Sequence, residues 1–330
     1  MRHVQLGRTG LPVSRLCLGT MTFGLQCDEA TSIAILDRAA AGGITFLDTS
    51  DVYPAGGDLD TVGRTEEIVG RWLEGRRRDY VIAAKCFGAM SARPWDRGLS
   101  RKHILDAIEG SLRRLRTDYV DLYQLHHPDP TTPIDESLRA LDDVVRAGKA
   151  RYVGCSNFFA YQTARALGRS ELLGLARFDC VQPRYNLLFR QVERELFPLC
   201  AEEGLGVISY NPIAGGLLSG KHSRQAGPMA GTRFTLGTAG ANYRERYWHE
   251  RELATVEALR PLAAEAGMSM VQMAVAWVLA NPVITSPIVG ASRPEQLDDV
   301  FPAVDKGLPA DLKTRLDELT HEFRWGDDIR

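Results

Sequence analysis

Nowhere in the 330-residue sequence do 18 apolar residues follow one another, so no segment reads as a single bilayer-spanning helix. Residues 1–20 also lack the basic start, apolar run and small-residue cleavage site of a secretory leader. The six cysteines (Cys17, Cys27, Cys86, Cys155, Cys180 and Cys200) are scattered, with no Cys-x-x-Cys pair and no ligand-like spacing to histidine. That argues against a disulfide framework and a structural zinc, and the expectation is a cytoplasmic protein with free thiols. Charge of one sign is lacking as well: 40 Lys and Arg stand against 42 Asp and Glu, a formal net charge of −2. On that balance neither nucleic acid nor a membrane is an expected partner. The run Arg76-Arg77-Arg78 closes a helical pattern, where cations oppose the dipole, and reads as a solvated helix end.

Also missing is any strand followed by Gly-x-Gly-x-x-Gly at a helix start, which argues against a Rossmann sheet. The stretch from Gly215 to Lys221 falls short of a P-loop, because His222 and not Ser or Thr follows the lysine.

What is present is an alternation. An apolar share of 44% and a charged share of 25% are those of an ordinary globular chain, and residues 1–330 read as one domain. A hairpin over 4–6 and 11–16, turning at Gly7-Arg8-Thr9-Gly10, precedes everything else and is placed to plug one end of a barrel. Short apolar strands are then predicted at 16–19, 45–48, 81–85, 120–125, 152–154, 180–182, 206–210 and 284–289. Helical patterns lie at 29–41, 65–74, 101–115, 134–147, 160–169, 192–203, 250–266 and 294–301. Eight strands, each with a following helix, predict an α/β fold of the (β/α)8 TIM-barrel type. The long connection from Lys221 to Tyr247 reads as a lid or an irregular excursion after strand seven.

In such a barrel the C-terminal strand ends converge on one mouth. Strand two ends in Asp48 and runs on to Tyr53, strand three ends in Lys85, strand four leads into His126-His127, and strand five into Ser156-Asn157. A lysine closing the apolar run Val-Ile-Ala-Ala needs a carboxylate if it is buried, and Asp48 is the natural partner. A tyrosine beside that ammonium is expected to have its pKa drawn from near 10 toward the working range. It would donate a proton to a substrate oxygen while His126 polarises the same carbonyl. Taken singly, Asp48 reads as a turn residue, Tyr53 as a loop aromatic and His126 as a hydrogen-bonded barrel histidine. Their joint placement on consecutive strand ends is what points to catalysis.

Several motifs carry a resemblance to the aldo-keto reductase superfamily over essentially the whole chain. Leu47-Asp48-Thr49-Ser50-Asp51-Val52-Tyr53 resembles its Asp-Thr-Ala-x-x-Tyr segment, Ile82-Ala83-Ala84-Lys85 its lysine strand, and Asp121 to His126 its histidine strand. Gly154-Cys155-Ser156-Asn157-Phe158 is similar to its G-x-S-N-F element, and the segment from Val181-Gln182 to Tyr185-Asn186 to its glutamine strand. The N-terminal hairpin, the long excursion and Gly98-Leu99-Ser100 look closest to the bacterial branch that resembles potassium-channel β subunits and NDP-sugar ketoreductases.

The resemblance implies reduction of a small-molecule aldehyde or ketone with NADPH, the catalytic residues being Asp48, Tyr53, Lys85 and His126. It implies that Ser156, Asn157 and Gln182 hold the nicotinamide carboxamide and that Tyr210 stacks on the ring. Gly19, Thr20 and Met21 are assigned to the cofactor as well. So is the stretch from Asn211, Pro212, Ile213 and Ala214 through Gly216 and Leu218 to Lys221, together with Arg233. Gly290, Ser292, Arg293, Gln296 and Asp299 are placed at the adenosine 2′-phosphate, where a helix start and an arginine suit a dianion. Phe23, Tyr53, Phe87, His126 and His127 are expected to form the substrate pocket. Asp51, Pro54, His127 and Val300 depart from the residues commoner at those places. Two other uses of such a chain stay open here: a nicotinamide-holding regulatory subunit like the channel β subunits, and a barrel isomerase without nicotinamide.

Overall fold

The computed structural model describes residues 1–326. It begins with an antiparallel hairpin, β1 (His3–Gln5) and β2 (Pro12–Ser14). Eight parallel strands follow in sequence order: β3 (Cys17–Gly19), β4 (Phe46–Asp48), β5 (Val81–Cys86), β6 (Val120–Leu125), β7 (Ala150–Ser156), β8 (Phe178–Gln182), β9 (Gly206–Val207) and β10 (Ile288–Val289). β10 pairs with β3 and each later strand with the next as far as β9. Parallel bridges from Val207 to Ile284 and from Tyr210 to Ile288 join the two remaining edges, and the sheet closes as a (β/α)8 barrel.

Helices α1 (Glu29–Ala41), α2 (Arg64–Leu73), α3 (Arg101–Leu115), α4 (Ile134–Arg146), α5 (Ala160–Leu173) and α6 (Leu196–Glu203) each follow one strand and pack outside it. Their starts follow local chemistry: the Asp28 carboxylate accepts from Thr31 N at 2.8 Å and the Ser100 hydroxyl from His103 N at 3.2 Å.

Along each strand successive side chains alternate between the helix layer and the interior. Leu18, Leu47, Ile82, Tyr123 and Val181 join the outer core, while Cys17, Phe46, Ala83, Leu122, Cys180, Ile208 and Ile288 fill the barrel. Leu6 and Val13 of the hairpin belong to that interior cluster and cap its floor. Gly7, at φ 56°, lies so close to the start of β9 that a Cβ would come 2.4 Å from Gly206 N.

The structure departs from the sequence-based expectation in three regions. The connection after β9 is built, not irregular: a turn of 3₁₀ helix (Arg233–Thr235) leads into α7 (Gly237–Tyr247). Its composition, with two glycines, hides the helix. What holds it is tertiary, since Phe234, Tyr243 and Tyr247 are buried and Phe234 packs edge-on to His222 and Trp248. After α8 (Glu250–Glu265) comes α9 (Met270–Leu279), unforeseen because eight of its ten residues are buried, which leaves no polar stripe to give it a period. The expected helix over 294–301 is only a 3₁₀ turn (Pro294–Leu297), followed by α10 (Pro302–Lys306) and α11 (Ala310–Leu319). Arg77 also differs from a solvated helix end: it pairs with Asp121 at 2.8 Å and lies over the Tyr119 ring. Among the described residues no single helix is long and apolar enough to cross a membrane.

Because Leu6 is wholly buried against barrel residues, Leu6→Ala is expected to destabilise the fold by ~2–5 kcal/mol in urea unfolding. A loss below about 1 kcal/mol would show that the hairpin does not seal the barrel floor.

Candidate active site

One pleat above the apolar interior layer, at the C-terminal ends of the strands, the inward positions turn polar. Phe46 is followed two residues on by Asp48, Ala83 by Lys85, Leu122 by Gln124 and Cys180 by Gln182. All four polar side chains are buried and joined by hydrogen bonds, with Gln124 Nε2 left without a partner. Lys85 Nζ donates to Asp48 Oδ1 and to the Thr49 carbonyl, both at 2.6 Å; Gln182 Nε2 donates to the other carboxylate oxygen at 2.8 Å and to Gln124 Oε1 at 3.3 Å. Burial pulls the Lys85 ammonium toward neutrality, but Asp48 and then Tyr53 outweigh it, and the pKa ends above its ordinary value. The lysine is charged throughout the physiological range.

The ammonium lies 4.9 Å from the Tyr53 ring centre, and its charge acts on the phenol. Proximity to the cation does not draw the phenol down as the sequence suggested. Burial raises its pKa above 10, Lys85 lowers it, Asp48 raises it, and burial prevails. Tyr53 is therefore a protonated phenol at neutral pH. Since an ammonium has three N–H donors and no acceptor, the phenol cannot donate to Lys85, and its O–H is free to point elsewhere.

His126 meets Tyr53 edge-on at 5.8 Å between ring centres and stacks on His127 at 5.2 Å. Burial, then the charge of Lys85, holds it well below the ordinary histidine range, so the imidazole is neutral. Its Nδ1 lies 3.1 Å from Ser50 Oγ, which is also 3.2 Å from Asp51 Oδ1. Burial and the neighbouring Glu66 push Asp51 up to about 8, so at neutral pH it is largely uncharged and competes weakly for the serine proton. Ser50 thus engages the Nδ1 edge of the ring and leaves Nε2 as the edge available to the cavity. Ser50 was not singled out in the sequence; a hydroxyl two residues beyond a buried carboxylate is too common to signal this contact.

Tyr53, His126 and His127 open onto a cavity of about 730 Å³ that runs across the barrel mouth to the segment after β10. Most residues expected to contact cofactor line it: Gly19, Thr20, Met21 and Asp48 on one side, Ser156, Asn157, Gln182 and Tyr210 on the floor, and the segment from Asn211 to Lys221 along the far wall. Gly290, Ser292, Arg293, Gln296, Asp299 and Val300 close the distal end. Lys85 lies beneath the cavity. Ala214 and Leu218 are buried behind the wall, where their side chains join the core. Phe23 is wholly buried in the outer core, and Phe87 backs the ring of His127 at 5.5 Å, so neither lines the cavity as expected of a pocket residue. Tyr243 and Arg246 of α7 line it instead, unseen in the sequence because their helix was.

The cavity suits an elongated dinucleotide carrying anionic groups. Asn157 fixes the floor, its amide donating to the His126 carbonyl at 2.9 Å and its oxygen accepting from Tyr210 at 2.8 Å. Asn211 Nδ2 is buried with no hydrogen-bond partner. In the adjoining turn Gly215 has φ 68°, and a Cβ there would come 2.4 Å from the Tyr243 ring, so α7 sits directly against the turn. At the distal end Lys221, Arg233 and Arg293 crowd one another. Burial, then Arg293 and Arg233, lowers the Lys221 pKa, and among the described residues none of these cations has a carboxylate within ion-pair distance. Asp298 is held by Arg38, its Oδ1 accepting from Arg38 Nε at 2.7 Å. Three cations without counter-ions are what bound phosphates would neutralise.

The Aldo/keto reductase family profile matches residues 15–321. The chain is 40% identical to the uncharacterized oxidoreductase YrpG of Bacillus subtilis, over 97% of this chain and 96% of the relative. It is 39% identical to a probable voltage-gated potassium channel subunit beta of Oryza sativa, over 92% of both, and 33% identical to the versiconal hemiacetal acetate reductase of Aspergillus parasiticus, over 96% of both. With the profile spanning the barrel and these relatives covering nearly the full length, the chain belongs to the aldo/keto reductase family of oxidoreductases.

Proposed function

We propose that the protein is an NADPH-dependent reductase of aldehydes and ketones in which Tyr53 is the proton donor. The observation that carries this reading is the placement of Tyr53 and His126 at one end of the cavity above the buried Asp48–Lys85 pair. When bound, the nicotinamide supplies the hydride. The chain's own residues bind and orient the carbonyl and deliver the proton. Tyr53 is protonated at neutral pH and Lys85 offers no acceptor for its proton, so its O–H is directed at the substrate oxygen. His126, neutral and oriented by Ser50, presents Nε2–H to the same oxygen and stabilises the charge that develops there. Asp48 keeps Lys85 charged and, through Gln182, ties it to the cavity floor. Lys221, Arg233 and Arg293, with Ser292 and Gln296, are assigned to the cofactor phosphates; Ser292 N donates to Gln296 Oε1 at 2.8 Å, which presets that end.

Steady-state oxidation of NADPH with a panel of carbonyl compounds tests the reading. Release of one equivalent of oxidised cofactor without turnover would instead favour a regulatory, cofactor-holding role. Tyr53→Phe is expected to reduce the rate of carbonyl reduction by ~10²–10⁴ while NADPH affinity hardly changes. A variant retaining more than about a tenth of wild-type rate, with chemistry limiting, would rule Tyr53 out as the acid.

The pH dependence has a definite sign. Reduction uses the protonated phenol, so its rate is flat through neutrality and falls only as pH rises through a pKa above 10. Alcohol oxidation needs the phenolate and rises over the same window. Lys85→Met removes the group that lowers the Tyr53 pKa, so that rise should move to still higher pH. An unchanged profile would sever Lys85 from Tyr53.

Arg293→Ala is expected to weaken NADPH about ten- to hundredfold and to leave NADH little affected, read by fluorescence titration. Equal affinities of the wild type for both cofactors would contradict recognition of the 2′-phosphate.

A further inference from the structure

A fourth cation in the cavity wall is not accounted for by cofactor phosphates. Arg246 lies one helical turn after Tyr243 on α7, and both line the cavity that contains Tyr53, His126 and His127. Its charge is felt at His127, where after burial it is the largest cause of a lowered pKa, and at Tyr210. Arg246 therefore lies toward the Tyr53 end of the cavity, away from Lys221 and Arg293, while Arg233 approaches the same Tyr243 ring and donates to its hydroxyl at 3.2 Å. Its guanidinium is 5.9 Å from the Tyr243 ring centre, and no carboxylate among the described residues lies within ion-pair distance of it. The cavity offers no other compensation at this end. Of its two lining carboxylates, Asp48 is neutralised by Lys85, and Asp299 belongs to the distal end beyond Ser292. A half-buried guanidinium facing a proton donor across a cavity, with no counter-ion of its own, is a receptor for an anion.

We propose that Arg246 binds a carboxylate on the substrate, so that the preferred substrates are aldehydes or ketones that also carry a carboxylate group. One guanidinium matches a single negative charge and the two oxygens of a carboxylate in a forked geometry. A phosphate dianion calls for several cations, which this chain gathers at Lys221, Arg233 and Arg293. His127, held neutral by burial and by Arg246, adds an uncharged imidazole to the same wall and no competing positive charge that would need a second anion. The inference rests on the carbonyl-reductase reading above and adds the substrate class to it.

Two matched pairs test it with NADPH as reductant: 4-oxobutanoate against butanal, and 4-carboxybenzaldehyde against 4-methylbenzaldehyde. The wild type should favour the charged member of at least one pair by about tenfold or more in kcat/KM. Arg246→Gln should bring that ratio toward unity through a raised KM for the charged member, and Arg246→Lys should restore part of it. NADPH affinity should follow neither change. Wild-type reduction of both members of each pair at equal kcat/KM, or a preference that survives in Arg246→Gln, overturns the proposal. So does an Arg246→Gln variant whose NADPH affinity falls as far as its use of the charged substrate, since Arg246 would then serve the cofactor. Calorimetric binding of butanoate and butanamide to the complex with NADP+ reads the same contact without turnover. Arg246-dependent binding of butanoate in a protein that reduces none of the four aldehydes would uphold the carboxylate site and reject the reductase reading.

Discussion

Lys85 carries a full charge and three donors into a barrel whose interior is otherwise apolar, and the polar layer at the strand ends exists to hold it. Two of the donors meet Asp48 and the Thr49 carbonyl, and the carboxylate in turn accepts from Gln182. The remaining valence faces Tyr53. Removing either ion would strand its partner in a low dielectric, so the pair acts as a unit that fixes where β4, β5 and β8 end relative to one another. Because its hydrogen bonds are nearly exhausted inside the barrel wall, what it presents to the cavity is a defined direction for the phenol and an electrostatic bias.

From that layer outward the cavity is organised by charge that has no internal partner. Several surface arginines elsewhere in the molecule are paired: Arg71 with Glu29, Arg169 with Asp135, Arg315 with Glu265. Within the cavity Lys221, Arg233, Arg293 and Arg246 are not. A globular chain with nearly equal numbers of acidic and basic groups has carboxylates to spare for such pairs, and the lack of one, among the described residues, within ion-pair distance of these four cations marks the cavity as the place where anions from outside are received.

Much of the barrel was legible in the sequence because each βα unit writes its burial into a local pattern. Strands covered on both faces are short and apolar, helices with one exposed face alternate with them, and the strand ends of β4, β5 and β6 name Asp48, Lys85 and His126 directly. Illegible were the elements whose burial leaves no pattern. α9 is buried over eight of its ten residues, and α7 carries glycines and is held by Phe234, Tyr243 and Tyr247 rather than by its own periodicity. Phe23 was expected at the pocket among the loops around the mouth. It turns into the core, where its carbonyl accepts from Thr65 at 2.7 Å.

By itself the sequence determined the closed eight-strand order and the identity of the polar groups at the strand ends, since both follow from alternation along the chain. Only the tertiary structure decided what those groups are like as acids and donors. The direction of the Tyr53 pKa depends on desolvation outweighing a cation, and the orientation of His126 depends on a serine brought to its Nδ1 from another strand end. The presence of Arg246 beside His127 depends on a helix that the chain reveals only when packed. Desolvation and through-space charge scale with the distances and surroundings of groups far apart in sequence, so no reading along the chain contains them.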